Sequence, residues 1–194
     1  MEKNQFCLPL NLPNIVEQIK KEYIEELLDL RARDKHQSFI GFTGKEIPEF
    51  VHELFSKLEL TPCSWKINMF TSSALEIQKI HLDGDPLYPE KFRPFAINWV
   101  WGGRTLMEWF KNKESQLPEY TDWNEFRYVE FNEDNCNKVH KEVLTGANLV
   151  NIAHPHRVIN VSKERRFCFS ICSNEILSWQ EITELCYQHN LVRI

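Results

Sequence analysis

The chain has 194 residues, of which 42% are hydrophobic and 26% charged, enough apolar matter for a sizeable core and no single-sign or Ser/Gly-rich tract that would stay disordered. The formal net charge of −5 supplies no field that would draw the chain to a phosphate backbone or an anionic membrane. The first residues, MEKNQFCLPLNLPN, lack a continuous apolar core, and no window reaches the ~20 apolar residues needed to span a bilayer. The expectation is one soluble, unexported, cytoplasmic domain over residues 1–194, with no nucleic-acid or membrane partner advertised and the oligomeric state left open.

In chain order, Ile15, Ile19, Tyr23, Leu27 and Leu28 recur at helical spacing behind Asn14, which predicts an amphipathic helix over 13–30. A second helix is predicted over 46–58, where Ile47, Phe50, Val51, Leu54, Phe55 and Leu58 repeat at three and four with Pro48 in the first turn. From Ser64 the period changes to that of strands. SWKINMF, LEIQKIHLD, PFAINWVW, RTLMEWF, FRYVEF, ANLVNIA, HRVINV and RFCFSIC give about eight short strands between turn-forming residues. Ser178 and Glu181 form a capping-box pattern that starts a last helix, over 178–190. The order is α+β with a mainly β core: a helical part over 1–60, a sandwich or jelly-roll core over 64–172 and a closing helix. The six cysteines are scattered without a CxxC pair, so buried, reduced thiols are expected.

The chemistry concentrates in two places. KIHLDGD puts His81 and Asp83 two apart at a strand end, so the pleat turns an imidazole and a carboxylate to one face, where they can share a metal. In HPHRVINVSKERRFCFSI, His156 opens one strand and Arg166 lies ten residues on, after a turn at Ser162–Glu164. Read as a hairpin, this spacing turns both into one pocket, with a guanidinium beyond the metal suited to a carboxylate. Arg165 is one residue out of phase and faces away. His154 competes with His156 as the distal ligand. His36, His52, His140 and His189 sit in helical or polar contexts and read as surface or capping histidines. Trp99, Trp101, Trp109 and Phe110 read as core aromatics or a wall over the metal, Asn98 as an amide in need of a partner, and Lys79 and Arg104 as solvated charges.

The HLD pair, the His that opens an HRV strand and the Arg ten residues later resemble the iron(II)/2-oxoglutarate oxygenases over roughly residues 64–172. RPFAINWVWGGRTLMEWF is similar to the small microbial and viral members. The resemblance implies a double-stranded β-helix of eight strands in which His81, Asp83 and His156 hold Fe(II). Of the three remaining iron sites, two would take 2-oxoglutarate and one O2, with Arg166 binding the far carboxylate. Where many relatives place Ser or Thr two residues after the Arg, this chain has Cys168; Ser170, Asn98 or Arg93 could supply the missing contact. The implied activity is hydroxylation of a small molecule or peptide, an amino-acid side chain in particular, with release of succinate and CO2. Two rival readings stand beside it: a cupin-like metalloenzyme that does not use 2-oxoglutarate, and a non-catalytic β-sandwich for binding or structure.

Overall fold

The computed structural model describes residues 5–33, 39–43, 45–83, 92–113, 119–123 and 126–193. Strand β1 (Cys7–Pro9), helix α1 (Lys21–Arg33), β2 (Phe39–Gly41) and α2 (Glu49–Lys57) come first. Then follow β3 (Pro62–Ser72), β4 (Ile80–Leu82), β5 (Phe95–Asn112), β6 (Glu119–Trp123), β7 (Phe126–Phe131), β8 (Cys136–Asn151), β9 (His156–Asn160) and β10 (Arg166–Ser173), and α3 (Trp179–Gln188) closes the chain.

The helices depart from expectation at their starts. The Asn14 carboxamide accepts the Val16 amide, and the Ile19 amide closes one turn on the Ile15 carbonyl, but the helix proper begins only at Lys21. Ile15 and Ile19 are buried all the same, so the spacing reported burial correctly and helix extent incorrectly. Pro48 precedes α2 as its N-cap instead of lying in the first turn. The capping box of α3 is formed in both directions, between Ser178 and Glu181, and His189 is its C-cap. Among the described residues no helix is long and apolar enough to cross a membrane. Position 36 lies outside the described residues.

The ten described strands form one antiparallel sheet. β5 is its spine, because the two expected strands PFAINWVW and RTLMEWF are one strand with a bend between them. Its first half, up to Gly102, lies between β10 and the end of β8; its second half, from Thr105, lies between β9 and the beginning of β8. β9 and β10 therefore do not pair with each other. They lie end to end along the same edge of β5, and residues 161–165 loop out between them, which corrects the hairpin expectation. The neighbouring line does the same: β3 borders β10, then Ile77 and His81 border β9 through single bridges. The first half of β8 was missed in the sequence because NKVHKEV is mostly exposed and charged, while ANLVNIA, its other half, is buried.

Alternation sorts the two faces. Ile67, Met69, Ile97, Trp99, Leu149, Phe169 and Ile171 pack under the helices with Leu27, Val51, Phe55 and Ile182. Ala96, Val100, Cys168 and Cys172 point the other way and form one buried cluster with Met107, Trp109 and Leu144 from beyond the bend, so the sheet curls around its own inner face. Of the expected wall aromatics, Trp99 and Trp109 are both fully packed, on opposite faces. All six cysteines are free; five are buried and Cys136 is half-buried.

The bend is made by two glycines. Gly102 has a φ of +77°, and a Cβ there would overlap the Arg165 carbonyl; a Cβ on Gly103 would come within 2.5 Å of the Glu164 carbonyl oxygen. Opposite them, the buried Asn160 amide donates to the carbonyls of Ser73 at 2.9 Å and Glu164 at 2.6 Å, and its Oδ1 accepts from the Ser162 hydroxyl at 2.9 Å. Replacing the buried Asn160 by Leu removes its bonds to both carbonyls and to Ser162, and a loss of about 2–4 kcal/mol is expected in chemical denaturation. Gly102→Ala is expected to cost more than about 1 kcal/mol, through both the left-handed φ and the overlap.

Candidate metal centre

The lower half of the sheet lines up a row of inward-facing partners across β8, β5, β9, β4 and β7: His140, Trp109, His156, His81 and Glu130. His81 and His156 are thus direct cross-strand neighbours, their ring centroids 4.7 Å apart. Asp83, two residues beyond His81 and on the same face, closes the group. Its Oδ1 lies 3.4 Å from His81 Nε2, and its Oδ2 lies 3.6 Å from His156 Nε2. The ligand atoms of all three residues fall within 4.8 Å of one another.

Each imidazole is oriented by its own strand. His81 Nδ1 lies 2.9 Å from the Lys79 carbonyl oxygen, and His156 Nδ1 lies 2.9 Å from that of His154. A carbonyl can only accept, so each Nδ1 carries the proton and donates it, which leaves Nε2 as the lone-pair nitrogen of the neutral ring. With both rings neutral, two imidazole lone pairs and the Asp83 carboxylate converge on one point; when a ring is protonated, its Nε2–H faces Asp83 instead. Nitrogen and oxygen donors in this number leave several positions of a divalent ion open, and such a set suits iron(II) among other first-row metals.

Electrostatics binds the three groups. Burial alone would raise the Asp83 carboxyl, yet the two imidazoles facing it outweigh burial and hold it well below the ordinary carboxylate range. Burial would likewise lower His81, but Asp83, with the Lys79 carbonyl and Glu130, outweighs it and raises the imidazole. His154 is exposed and shifted down by partial burial and by His156; it enters the site through its backbone carbonyl, so His156 and not His154 joins the triad.

Arg166 is 3% exposed and faces inward from β10. Its Nε donates to the Thr105 hydroxyl at 3.0 Å, and among the described residues it makes no salt bridge to a carboxylate. Arg165 is exposed, as its phase requires. Cys168 and Ser170 share the inner face with Arg166, and Ser170 stands directly opposite Asn98. Asn98 Oδ1 is buried without a hydrogen-bond partner. Arg93 is buried just before β5, with one guanidinium nitrogen on the Phe92 carbonyl. Asp83 contributes to the charge felt by both Cys168 and Cys172, and the Lys66 amine lies 3.4 Å from the Asp83 carbonyl oxygen, so the triad sits over the inner face of β10 and β3.

Thr105 and Lys66 were missed in the sequence; counting back from Trp109 through Met107 by twos would have put Thr105 on the His156 face. His140 corrects another reading. It stands on β8, stacked on Phe6 with centroids 5.1 Å apart, and is no surface helix residue. Lys79 is exposed as expected and pairs with Glu130.

Neither a family model nor a curated protein sequence matches the chain. Among solved structures it is similar to Peruvianin-I, a cysteine peptidase from Thevetia peruviana latex (13% identity, 57% of this chain and 52% of that one, TM-score 0.34). It is also similar to oxalate oxidase in complex with glycolate (16% identity, 57% and 43% covered, TM-score 0.34) and to E. coli ycfD (11% identity, 72% and 33% covered, TM-score 0.37). The chain spans about half or less of the length of these structures. Likeness at this level does not bear on what the chain binds or catalyses.

The metal-free site carries a definite pH signature. His81 is raised on folding, so its contribution to stability is full below the unfolded imidazole value of about 6.5 and is lost as pH climbs through the folded value. Asp83 is depressed, so its contribution is present above about 3.9 and is lost as acid titrates the folded carboxylate. Thermal melts in chelator are therefore expected to show the melting temperature falling as pH rises past neutrality. A divalent metal held by the group needs His81 deprotonated and is expected to reverse that slope. Asp83→Asn is expected to flatten both; an unchanged profile in that variant would remove Asp83 from the group.

Proposed function

We propose that this chain is an iron(II)- and 2-oxoglutarate-dependent dioxygenase that hydroxylates an amino-acid or peptide side chain, with succinate and CO2 as co-products. The observation that carries the reading is the pairing of a converging His81–Asp83–His156 group with a buried guanidinium, Arg166, that has no carboxylate of its own among the described residues. A buried unpaired cation is costly, and a dicarboxylate spanning from the metal to Arg166 offsets that cost.

The topology supports the same reading. Four strand lines fold over at one level: β3 into β4, β5 at Gly102–Gly103, β8 near Gly146, and β10 against β9. Counting each half separately gives eight strands in two facing sets of four, the order of a double-stranded β-helix with the metal residues on its inner face.

In this reading, His81, Asp83 and His156 would hold iron(II) next to the 2-oxo acid. The bound iron supplies oxygen activation coupled to decarboxylation of the co-substrate. The protein's own residues do the positioning. The Lys79 and His154 carbonyls fix the tautomers of the ligand histidines, and Thr105 aims the Arg166 fork by holding Nε. The packed wall of Trp109, Met107 and Val100 keeps bulk water from the inner face.

The test is an anaerobic titration of metal-free protein with iron(II) and 2-oxoglutarate, followed by the weak visible charge-transfer band of the chelated 2-oxo acid. The band is expected in the native protein, absent in Asp83→Ala, and displaced to much higher 2-oxoglutarate in Arg166→Ala, by roughly 2–5 kcal/mol of lost binding. Iron binding with no band would point to a metalloenzyme that does not use 2-oxoglutarate. Failure to bind iron would leave a non-catalytic β protein.

A further inference from the structure

A second row of inward side chains runs across the upper half of the sheet. Asn148 on β8, Asn98 on β5, Ser170 on β10 and Asn68 on β3 are consecutive cross-strand partners. Asn148 is spent internally: its amide donates to the carbonyls of Thr145 and Gly146, and the Cys7 thiol lies against its Oδ1. The other three differ. Asn98 Oδ1 is buried without a partner, and neither Ser170 nor Asn68 makes a side-chain hydrogen bond among the described residues. At the far end of the row stands Gly41, opposite Asn68 and without a side chain to cover it.

Of these three, the Asn98 Oδ1 atom is shut off from solvent, and a buried acceptor without a donor costs free energy unless something binds there; Ser170 and Asn68 are half-buried beside it. Their place is also telling. Ser170 lies midway between Cys168 and Cys172, the two thiols that feel Asp83, and Asn68 lies two residues from Lys66, which reaches the Asp83 carbonyl. The Lys66 contact puts the Asn68 end of the row near Asp83, while Arg166 lies four residues earlier on β10, ~13 Å at strand rise.

The co-substrate can accept from the Ser170 hydroxyl and the Asn68 amide but cannot satisfy Asn98 Oδ1. Both carboxylates and the keto oxygen of 2-oxoglutarate are acceptors, and a buried amide oxygen needs a donor. We infer that Asn98, Ser170 and Asn68 form the recognition strip for the molecule to be oxidised, and that this molecule presents an uncharged amide, a peptide group or a carboxamide side chain. An amide offers N–H to Asn98 Oδ1 and a C=O to the Ser170 hydroxyl and the Asn68 amide, and the row itself holds no charged side chain that would prefer an ionic ligand. The inference rests on the oxygenase reading only for the name of substrate; the strip as an amide site can be tested without metal.

The experiment is a titration of isotopically labelled, metal-free full-length protein with N-acetyl-asparagine methylamide, observing the side-chain amide signals of Asn98 and Asn68. Both signals are expected to move, and the matching ester, which lacks the backbone N–H at the C-terminal side, is expected to bind roughly tenfold more weakly. Asn98→Leu is expected to abolish the shifts while melting no lower than the native protein, since it removes a buried unpaired acceptor. Signals that stay still up to roughly 10 mM probe, a range in which ligands with Kd near 1 mM would report, would overturn the strip. So would loss of the 2-oxoglutarate charge-transfer band in Asn98→Leu, which would assign the row to the co-substrate. A band without amide shifts sinks this inference alone, whereas amide shifts without a band sink the oxygenase reading alone.

Discussion

The bend at Gly102–Gly103 is the constraint on which the remaining structure depends. A strand of 18 residues cannot serve two facing half-sheets unless it turns sharply, and the turn brings its backbone against residues 161–165 so closely that only glycine fits. Asn160 clamps that contact from the opposite side and reaches Ser73 on the next strand line. The same clamp sets the distance between His156, just before the loop, and Arg166, just after it. The geometry between metal group and guanidinium thus depends on backbone packing at the bend, where Gly102 is the cross-strand partner of Arg166.

Around this scaffold the two sheet faces divide their work. The outer face of the upper half gives its large apolar side chains to the three helices, and this contact supplies most of the core. The inner face is then free to carry groups that a core would reject: two histidines, an aspartate, an arginine and a row of amides. Each ionisable member is stabilised by a neighbour of complementary character, Asp83 by two imidazoles, Arg166 by the Thr105 hydroxyl. A second charged network, with Glu108 held by Lys138 and Arg157, lies on the outer face of the lower half. There, burial would raise the Glu108 carboxyl but the two cations outweigh it and lower it.

The mistakes in reading the sequence share one cause. Periodicity reports which residues are buried, not which element stops where, so Ile15 and Ile19 were assigned to a helix that begins after them. It also reports strands but not their partners. The ten-residue step from His156 to Arg166 suits a hairpin as well as it suits two strands laid end to end along β5, and only the register distinguishes them.

By itself the sequence determined the parity of the site. The step of two from His81 to Asp83 puts both on one face of any regular strand, because the pleat repeats every two residues. The same rule turned Arg165 outward and Arg166 inward. The tertiary structure alone decided that β4 lies beside β9, so that His81 meets His156; that the Lys79 and His154 carbonyls fix both tautomers; and that Thr105, Asn68 and Ser170 face the same interior. Those facts depend on which strands pair and in what register, a choice made by long-range packing and by the close approach at two glycines, and no local pattern of residues encodes it.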